Sequence, residues 1–353
     1  MSPEVTIQDV ARLAGVSTST VSNLLNGRNE RMRPETLERV QRAITQLGYS
    51  PNRAARHLKT GHVEMIGVIV PSVANPFYGA FASHVERAAL QAGYQILLGN
   101  SERDPEREQR YAEELWSHGI RGLIFGSSLL ALTHLATFVE HGLSIVAFDR
   151  QAQPVDDLPI DSVTVDNVRA ARLATEHLLN LGHRRIGFVT GPVRTVNRQS
   201  RLEGYRKTLA DFGVAPDPDL IWEKALEKGF GDTEGVELGR SGARELLSRA
   251  NRPTALVAIN DMYAFGAYAG ARDLGLRVPH DISIVGIDDG VLAEVVDPPL
   301  TTVRQPLAEM TLAAVDLVIG RIEGRDDGPP RHLTMQPELI VRQSTQEPSW
   351  RST

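Results

Sequence analysis

The sequence predicts a mixed architecture, an all-α unit at the N-terminus followed by a larger α/β body built on parallel sheets. Three observations carry that expectation. Apolar residues recur at helical spacing over the first fifty positions, and from Val63 onward short apolar runs alternate with helix-length amphipathic segments. Charge divides the same way: residues 1–61 hold nine Arg or Lys against five acids, a balance of +4, against −10 for the remaining 292 residues. A small basic head on an acidic body suits a polyanion-binding module joined to a second function. With 41% apolar and 23% charged residues the composition is that of a folded globular chain. The chain has no cysteine, which excludes a disulfide scaffold, a thiolate zinc finger and a thiol nucleophile. The first ten residues lack the pattern of a secretory signal, and no apolar run approaches the ~18 residues of a membrane helix. A soluble, cytoplasmic protein with no membrane partner is therefore expected.

In the head, Thr6-Ile7-Gln8-Asp9 reads as a capped helix start, with Ile7, Val10, Ala11 and Ala14 on one face. Gly15 ends that helix. Ser17 caps a second, running to about Asn26, with Val21, Leu24 and Leu25 turned inward. Pro34 opens a third, through Leu37, Val40, Ile44 and Leu47 to Gly48. Two short helices around a tight glycine turn, backed by a third, are the helix-turn-helix plan, whose second helix enters the major groove. Its outward positions here are Thr18, Ser19, Ser22, Asn23 and Asn26, small or amide side chains that can reach base edges or phosphates. Beyond Ser50-Pro51-Asn52 lies Arg53-Ala-Ala-Arg-His-Leu58-Lys-Thr-Gly61, with Leu58 its one large apolar residue. In a two-fold dimer on DNA, paired leucines could wedge into the minor groove and kink the duplex.

Three stretches, Thr6-Ile-Gln-Asp-Val-Ala-Arg-Leu-Ala-Gly-Val-Ser, Thr20-Val-Ser-Asn-Leu-Leu-Asn-Gly and Leu47-Gly-Tyr-Ser-Pro-Asn-Arg-Ala-Ala-Arg-His-Leu-Lys-Thr-Gly, resemble the lactose/galactose (LacI/GalR) repressor family. The resemblance implies that Thr18, Ser19 and Asn23 read bases, and that Thr6, Ser17, Thr20, Ser22 and Asn26 contact phosphates. It also implies that Asn52, Ala55 and Leu58 belong to a minor-groove hinge helix. Asn23 departs from the Arg common at its position, which disfavours a guanine contact there, and Arg33 replaces the usual small cap before the third helix.

In the body the apolar runs are Met65–Val70, Gln95–Leu98, Gly122–Phe125, Ser144–Phe148, Val163–Val165, Arg185–Val189, Ala255–Ile259 and Ser283–Ile287. Amphipathic stretches such as Phe77–Ala92, Pro105–His118 and Val168–Leu181 separate them. About 285 residues exceed what one sheet usually organises, so two sheet domains are expected. Ligands of parallel sheets sit at the strands' carboxyl ends. Here those ends carry Asn75-Pro-Phe77-Tyr, Gly126-Ser-Ser, Asp149-Arg150, Asn260-Asp261 and Asp288-Asp289, a mix suited to a sugar, polyol or nucleoside. Some of these residues are equally suited to capping helices.

The resemblance extends over the body to about residue 345, through Asn75-Pro-Phe-Tyr, Leu181-Gly-His-Arg-Arg-Ile, Arg201-Leu-Glu-Gly-Tyr and Pro299-Leu-Thr-Thr-Val-Arg-Gln-Pro. It implies a two-lobed periplasmic-binding-protein-like body, with Asn75, Phe77, Asp149, Arg201, Asn260 and Asp288 as effector contacts and Ser128 and Phe230 as weaker ones. Arg201 and Asp288 are expected to clamp a ligand across the cleft. Thr195-Val-Asn197 departs from members that respond to nucleobases and disfavours a purine. The implied division is a DNA-binding domain at 1–50, a hinge helix at 51–61, an effector and dimerisation body at 62–345 and a polar tail at 346–353. Within the body, one lobe takes 62–161 and 293–323, the other 162–292 and 324–345.

The expected function is a transcriptional regulator, a repressor by the family's commoner outcome. It would bind a palindromic operator in double-stranded DNA as a homodimer, under allosteric control by a sugar or polyol. Two other readings stay open. An enzyme on a sugar or nucleotide has Asp149, Asp288 and Asp289 in its favour, but the chain has no P-loop, dinucleotide fingerprint or nucleophile elbow. A transport-type sugar-binding protein would share the body but has no use for the head. The ten histidines show no metal spacing, so neither a cofactor nor a metal is expected.

Overall fold

The computed structural model describes residues 5–25, 32–49, 63–224 and 234–348, and the chain divides into two compact units, 1–63 and 64–353. The first unit contains α1 (Ile7–Ala14), α2 (Thr18–Leu25) and α3 (Pro34–Leu47). Gly15 and Gly48 adopt left-handed backbones (φ 63° and 58°) where α1 and α3 end, a conformation that carries no side-chain penalty only for glycine. At the start of α1, Asp9 Oδ2 accepts from both Thr6 N–H (3.0 Å) and Thr6 O–H (2.6 Å). Val10, Ala11, Ala14, Val21, Val40 and Ala43 form a small shared core.

The second unit holds two six-stranded sheets. The first has the order β11-β5-β4-β3-β1-β2, with β1 (Met65–Val70), β2 (Gln95–Asn100), β3 (Gly122–Phe125), β4 (Ser144–Phe148), β5 (Asp161–Val165) and β11 (His332–Met335), all parallel. It is covered by α4 (Pro76–Gln91) and α12 (Leu307–Ile322) on one face and α5 (Pro105–Ser117) on the other, with α6 (Ala136–Glu140) beyond β3. The second sheet has the order β12-β10-β9-β8-β6-β7. Its strands are β6 (Ile186–Thr190), β7 (Ile221–Glu223), β8 (Ala255–Ala258), β9 (Ser283–Asp288), β10 (Thr301–Arg304) and the antiparallel β12 (Glu338–Ile340). Its helices are α7 (Asn167–Asn180), α8 (Val196–Asp211), α9 (Gly235–Leu247), α10 (Asp261–Asp273) and the short α11 (Leu292–Val295). Both sheets are buried on two faces, which is why their central strands read as unbroken apolar runs.

Strand register corrects the expected lobe boundaries. Asp161 of β5 pairs with Val146 of β4, so the chain leaves the first lobe after Val165 and not before Ser162. Thr301 of β10 pairs with Val285 of β9, so the segment from 293 to 304 belongs to the second lobe. His332 of β11 pairs with Ser162, which keeps 324–335 in the first. The three crossings therefore lie at Val165–Asn167, Arg304–Leu307 and Met335–Glu338. The resemblance placed each boundary before the last short strand of its lobe, whereas pairing carries the chain through that strand before it crosses.

Glycines set how closely the helices of the second lobe approach. A Cβ on Gly266 of α10 would overlap the backbone carbonyl of Val236 in α9, and one on Gly239 of α9 would overlap that of Tyr263. No helix among the described residues is long and apolar enough to cross a membrane, and none of their His, Asp or Glu clusters could hold a metal ion.

Candidate functional site: a polar helix face and an interlobe cleft

In the head, α2 turns Thr18, Ser19 and Asn23 to solvent while Val21 is fully buried, so its outer face is polar and uncluttered. Ser17 caps it: Ser17 Oγ accepts from Thr20 N–H at 3.2 Å and lies 2.7 Å from Ser19 Oγ and 2.9 Å from Thr20 Oγ1. Ser22 is half-buried. Both donors of Thr6 are engaged by Asp9, and those bonds hold the Asp9 carboxyl below the ordinary range. A phosphate taking the Thr6 hydroxyl proton must displace Asp9. Asn26, Asn52, Ala55, Leu58 and the hinge helix expected at 51–61 lie outside the described residues, as does Phe230.

In the body, the side chains expected at the effector site converge between the lobes. Asn75, Phe77, Asp149, Arg201, Asn260 and Asp288 line one cavity of about 30 Å³. Each is placed by the end of a strand or the first turns of a helix. Asn75 caps α4, its Oδ1 accepting from Phe77 N–H at 3.1 Å, and Asn260 caps α10 in the same way through Tyr263 N–H at 3.1 Å. Asp149 follows β4 with φ 52° and Asp288 ends β9 with φ 143°, left-handed conformations unusual for residues with a side chain. Glu102, Arg103, Ser128 and Asp289, all at strand ends, share that feature. Such strain is tolerated where the surrounding structure fixes a side chain in place, and it concentrates at ligand sites.

Arg201, on α8, is 4% exposed. Its Nε donates to Asn167 Oδ1 and its Nη1 to the Ile259 carbonyl, each at 2.7 Å, and Nη1 lies 4.0 Å from Asp288 Oδ1. Asp288 also accepts from Gln305 Nε2 at 2.8 Å. Burial pushes the Asp288 carboxyl well above the ordinary range, Arg201 opposes that, and Asp261 and Asp149 reinforce it. Nearby Asp261, 3% exposed, is pushed up to about 6 by burial despite accepting from Thr302 O–H at 2.6 Å and Gly290 N–H at 3.1 Å.

The expected clamp across the cleft is corrected by this geometry. Arg201 and Asp288 both belong to the second lobe, because α8 and β9 pack on the same sheet. Across the lobes, Asn197 Nδ2 donates to Asp149 Oδ2 at 2.6 Å. Beside it, Val196 N–H donates to the Ser128 carbonyl at 2.9 Å, and Leu129 and Thr195 form an isolated antiparallel bridge. Ser128 is fully buried in this seam and does not line the cavity. Tyr78, on the loop whose aromatic faces were expected to cover a ring, lines the cavity with Ile259, and so do Arg103, Asn197 and Arg198, to which the sequence assigned no ligand role. Asn197 and Arg198 stand four and three residues before Arg201, so helical spacing could have placed them on its face. Arg103 sits in a loop with φ 57°, and nothing in its sequence neighbourhood points inward.

Comparison with known proteins agrees with both halves of this arrangement. Residues 6–52 match bacterial regulatory proteins of the lacI family, and residues 175–345 match a periplasmic binding protein-like domain. The chain is 34% identical over 342 residues to the HTH-type transcriptional regulator DegA of Bacillus subtilis (strain 168), covering 97% of this chain and 98% of the relative. It is 37% identical over 347 residues to the HTH-type transcriptional regulator GalS of Salmonella typhimurium, covering 98% and 97%. Among solved structures, the lac repressor dimer bound to operator and the anti-inducer ONPF superposes with a TM-score of 0.83 at 28% identity, covering 97% of this chain and 99% of that one. The transcriptional regulator CelR in complex with cellobiose gives 0.72 at 31% identity, covering 97% and 100%.

Proposed function

The chain belongs to the lacI family of bacterial regulatory proteins, DNA-binding transcriptional regulators and not enzymes, and from that premise we propose that it represses transcription under the control of a sugar or polyol. In this reading it binds a palindromic operator as a homodimer. The observation that carries the effector half is the convergence of Asn75, Asp149, Arg201, Asn260 and Asp288, from separate strand and helix ends, on one cleft. Carboxylates and an amide oxygen accept from hydroxyls, and a guanidinium donates to them, so the set suits a polyhydroxylated ring. The related CelR structure contains cellobiose. Dimerisation is supported by exposed apolar residues on the body: Leu97 and Leu98 on edge strand β2, Leu90 on α4, and Val291 and Val295 around α11.

The cavity of about 30 Å³ holds about one water, roughly a tenth of the smallest usual ligand pocket. An effector must therefore separate the lobes, and its hydroxyl replaces the Asn197 amide at Asp149. The head joins the body at the start of β1, in the first lobe, so a change in lobe spacing is passed to the segment that carries the head. A ligand that prefers the wider spacing shifts operator affinity by its differential affinity for the two states. The test is a thermal-shift panel of sugars and polyols, followed by operator titration with each stabilising compound. A stabilising compound that changes DNA affinity at least fivefold supports the reading. Compounds that stabilise the body and leave DNA affinity unchanged refute it.

A further inference from the structure

We propose that Arg150 is a positioning residue for the seam between the lobes: its guanidinium ties the two first-lobe loops that touch the second lobe into one rigid unit and so sets the spacing at which the lobes meet. The loops follow neighbouring strands. After β3, the Ser128 carbonyl accepts from Val196 N–H and Leu129 opposes Thr195; after β4, Asp149 accepts from the Asn197 amide. Each loop carries a left-handed residue at its point of contact, Ser128 at φ 56° and Asp149 at φ 52°. Such backbones persist only where the surroundings over-determine them.

Arg150 supplies that constraint. It directly follows Asp149, is fully buried and lies outside the lining of the polar cleft. Its Nε donates to the Leu129 carbonyl at 2.6 Å and its Nη2 to the Leu130 carbonyl at 3.1 Å, so the loop after β4 grips the backbone of the loop after β3. Asp156 closes the fork, accepting from Nη1 at 2.6 Å and Nη2 at 2.9 Å, and is itself held by Leu132 N–H at 3.0 Å and Gln153 N–H at 3.3 Å. A charge buried this deeply is tolerated when it is paired and hydrogen-bonded, as here. Lysine would keep the charge opposite Asp156 but cannot reach both carbonyls as well, because only the planar fork spans these acceptors. The positioning role concerns what sets the spacing and holds for any cleft ligand; its consequence for operator binding rests on the lobe control proposed above.

Arg150→Lys in the full-length protein tests the role. Amide hydrogen exchange across 193–199 is expected to quicken at least tenfold, while β4 and β6, in the cores of the two lobes, keep their protection. Affinity for a duplex that the protein selects from a random pool is expected to shift at least fivefold. A rescue uses the chain's lack of cysteine. Leu129 and Thr195 face each other as a non-hydrogen-bonded antiparallel pair beside the Val196-to-Ser128 bond, a geometry with Cα atoms about 4.5 Å apart and within disulfide reach. Arg150→Lys combined with Leu129→Cys and Thr195→Cys is compared oxidised and reduced, and oxidation is expected to reverse the affinity shift. Should Arg150→Lys fail to fold, Asp156→Asn leaves the guanidinium in place, removes one arm of its fork and is expected to quicken the same segment at least threefold. Unchanged exchange across 193–199 in a folded variant overturns the proposal. So does equal loss of protection in β4 and the seam, the signature of a general prop, or an affinity shift that oxidation leaves in place. A quickened seam with unaltered DNA affinity supports the positioning role and refutes the lobe control.

Discussion

Replacing Arg201 with methionine separates its structural role from its role toward a ligand. Methionine keeps most of the buried aliphatic volume and removes the guanidinium, together with its bonds to Asn167 Oδ1 and the Ile259 carbonyl, both at 2.7 Å. Hydrogen bonds from a charged donor contribute about 1.5–3 kcal/mol each. Two of them give ~3–6 kcal/mol, and removing the buried charge returns part of that by relieving its desolvation. A net loss of about 3 kcal/mol follows. For a body of this size each kcal/mol lowers the melting temperature by about 2–4 °C, so scanning calorimetry should show a fall of about 6–12 °C. The same variant should lose binding of any compound that stabilises the unaltered protein through the cleft, because Asp288 loses the only cation within 4 Å among its described ion pairs. Arg201→Lys should recover little, since one ammonium cannot reach the amide oxygen and the carbonyl in the same fork geometry. A loss below 1 kcal/mol would refute the reasoning, because it would mean that the guanidinium is solvated and not bonded as described.

Other consequences can be checked separately. Asp261 titrates at about 6 in the folded chain against 3.8 for the free group, so its ionisation is unfavourable to folding. That penalty is absent below about pH 4 and complete above about pH 6, worth ~3 kcal/mol at 1.36 kcal/mol per unit. Asp261→Asn should therefore gain stability relative to the unaltered protein by about that amount as pH rises from 4 to 7. The comparison cancels groups whose titration does not depend on Asp261, such as His177, while Asp288, which Asp261 helps to raise, shifts with it, and a flat difference in denaturant titrations would contradict the assignment. Gly266→Ala forces α9 and α10 apart and should cost about 2–3 kcal/mol; a cost under 1 kcal/mol would show that the crossing is looser. Leu58→Ala should weaken operator binding and reduce DNA bending, seen as altered gel mobility of circularly permuted duplexes, with effector affinity unchanged. An unaltered bend would reject the wedge role.

Local signals in the sequence carry most of the fold. Met65–Val70 is a strand over the expected residues, and Gly15, Pro34 and Gly48 end or open helices where their backbone preferences dictate. Both sheets were legible because a strand buried on two faces must be apolar along its length. The short strands β10, β11 and β12 were not, since Thr301–Arg304, His332–Met335 and Glu338–Ile340 are three or four residues with mixed polarity, and only pairing defines them. The same limit governed the site. Asn75, Asp149, Asn260 and Asp288 follow strands, so their convergence could be anticipated from chain order. The expected lobe division already held Arg201 and Asp288 together, but that Arg201 turns to Asp288 while Asn197 reaches across to Asp149 depends on how α8 packs, which local pattern does not encode.

The central claim is that the head reads duplex sequence and that the cleft's ligand adjusts its grip. It is tested most directly by selecting duplexes from a random pool with the full-length protein at physiological salt, then titrating the winners by fluorescence anisotropy with and without a stabilising sugar or polyol. The account predicts enrichment of two-fold symmetric sites bound at least ~10³-fold more tightly than random duplex, with affinity shifted at least fivefold by the ligand. A pool that emerges without a preferred sequence, or a preferred site whose affinity ignores every ligand bound in the cleft, would contradict it.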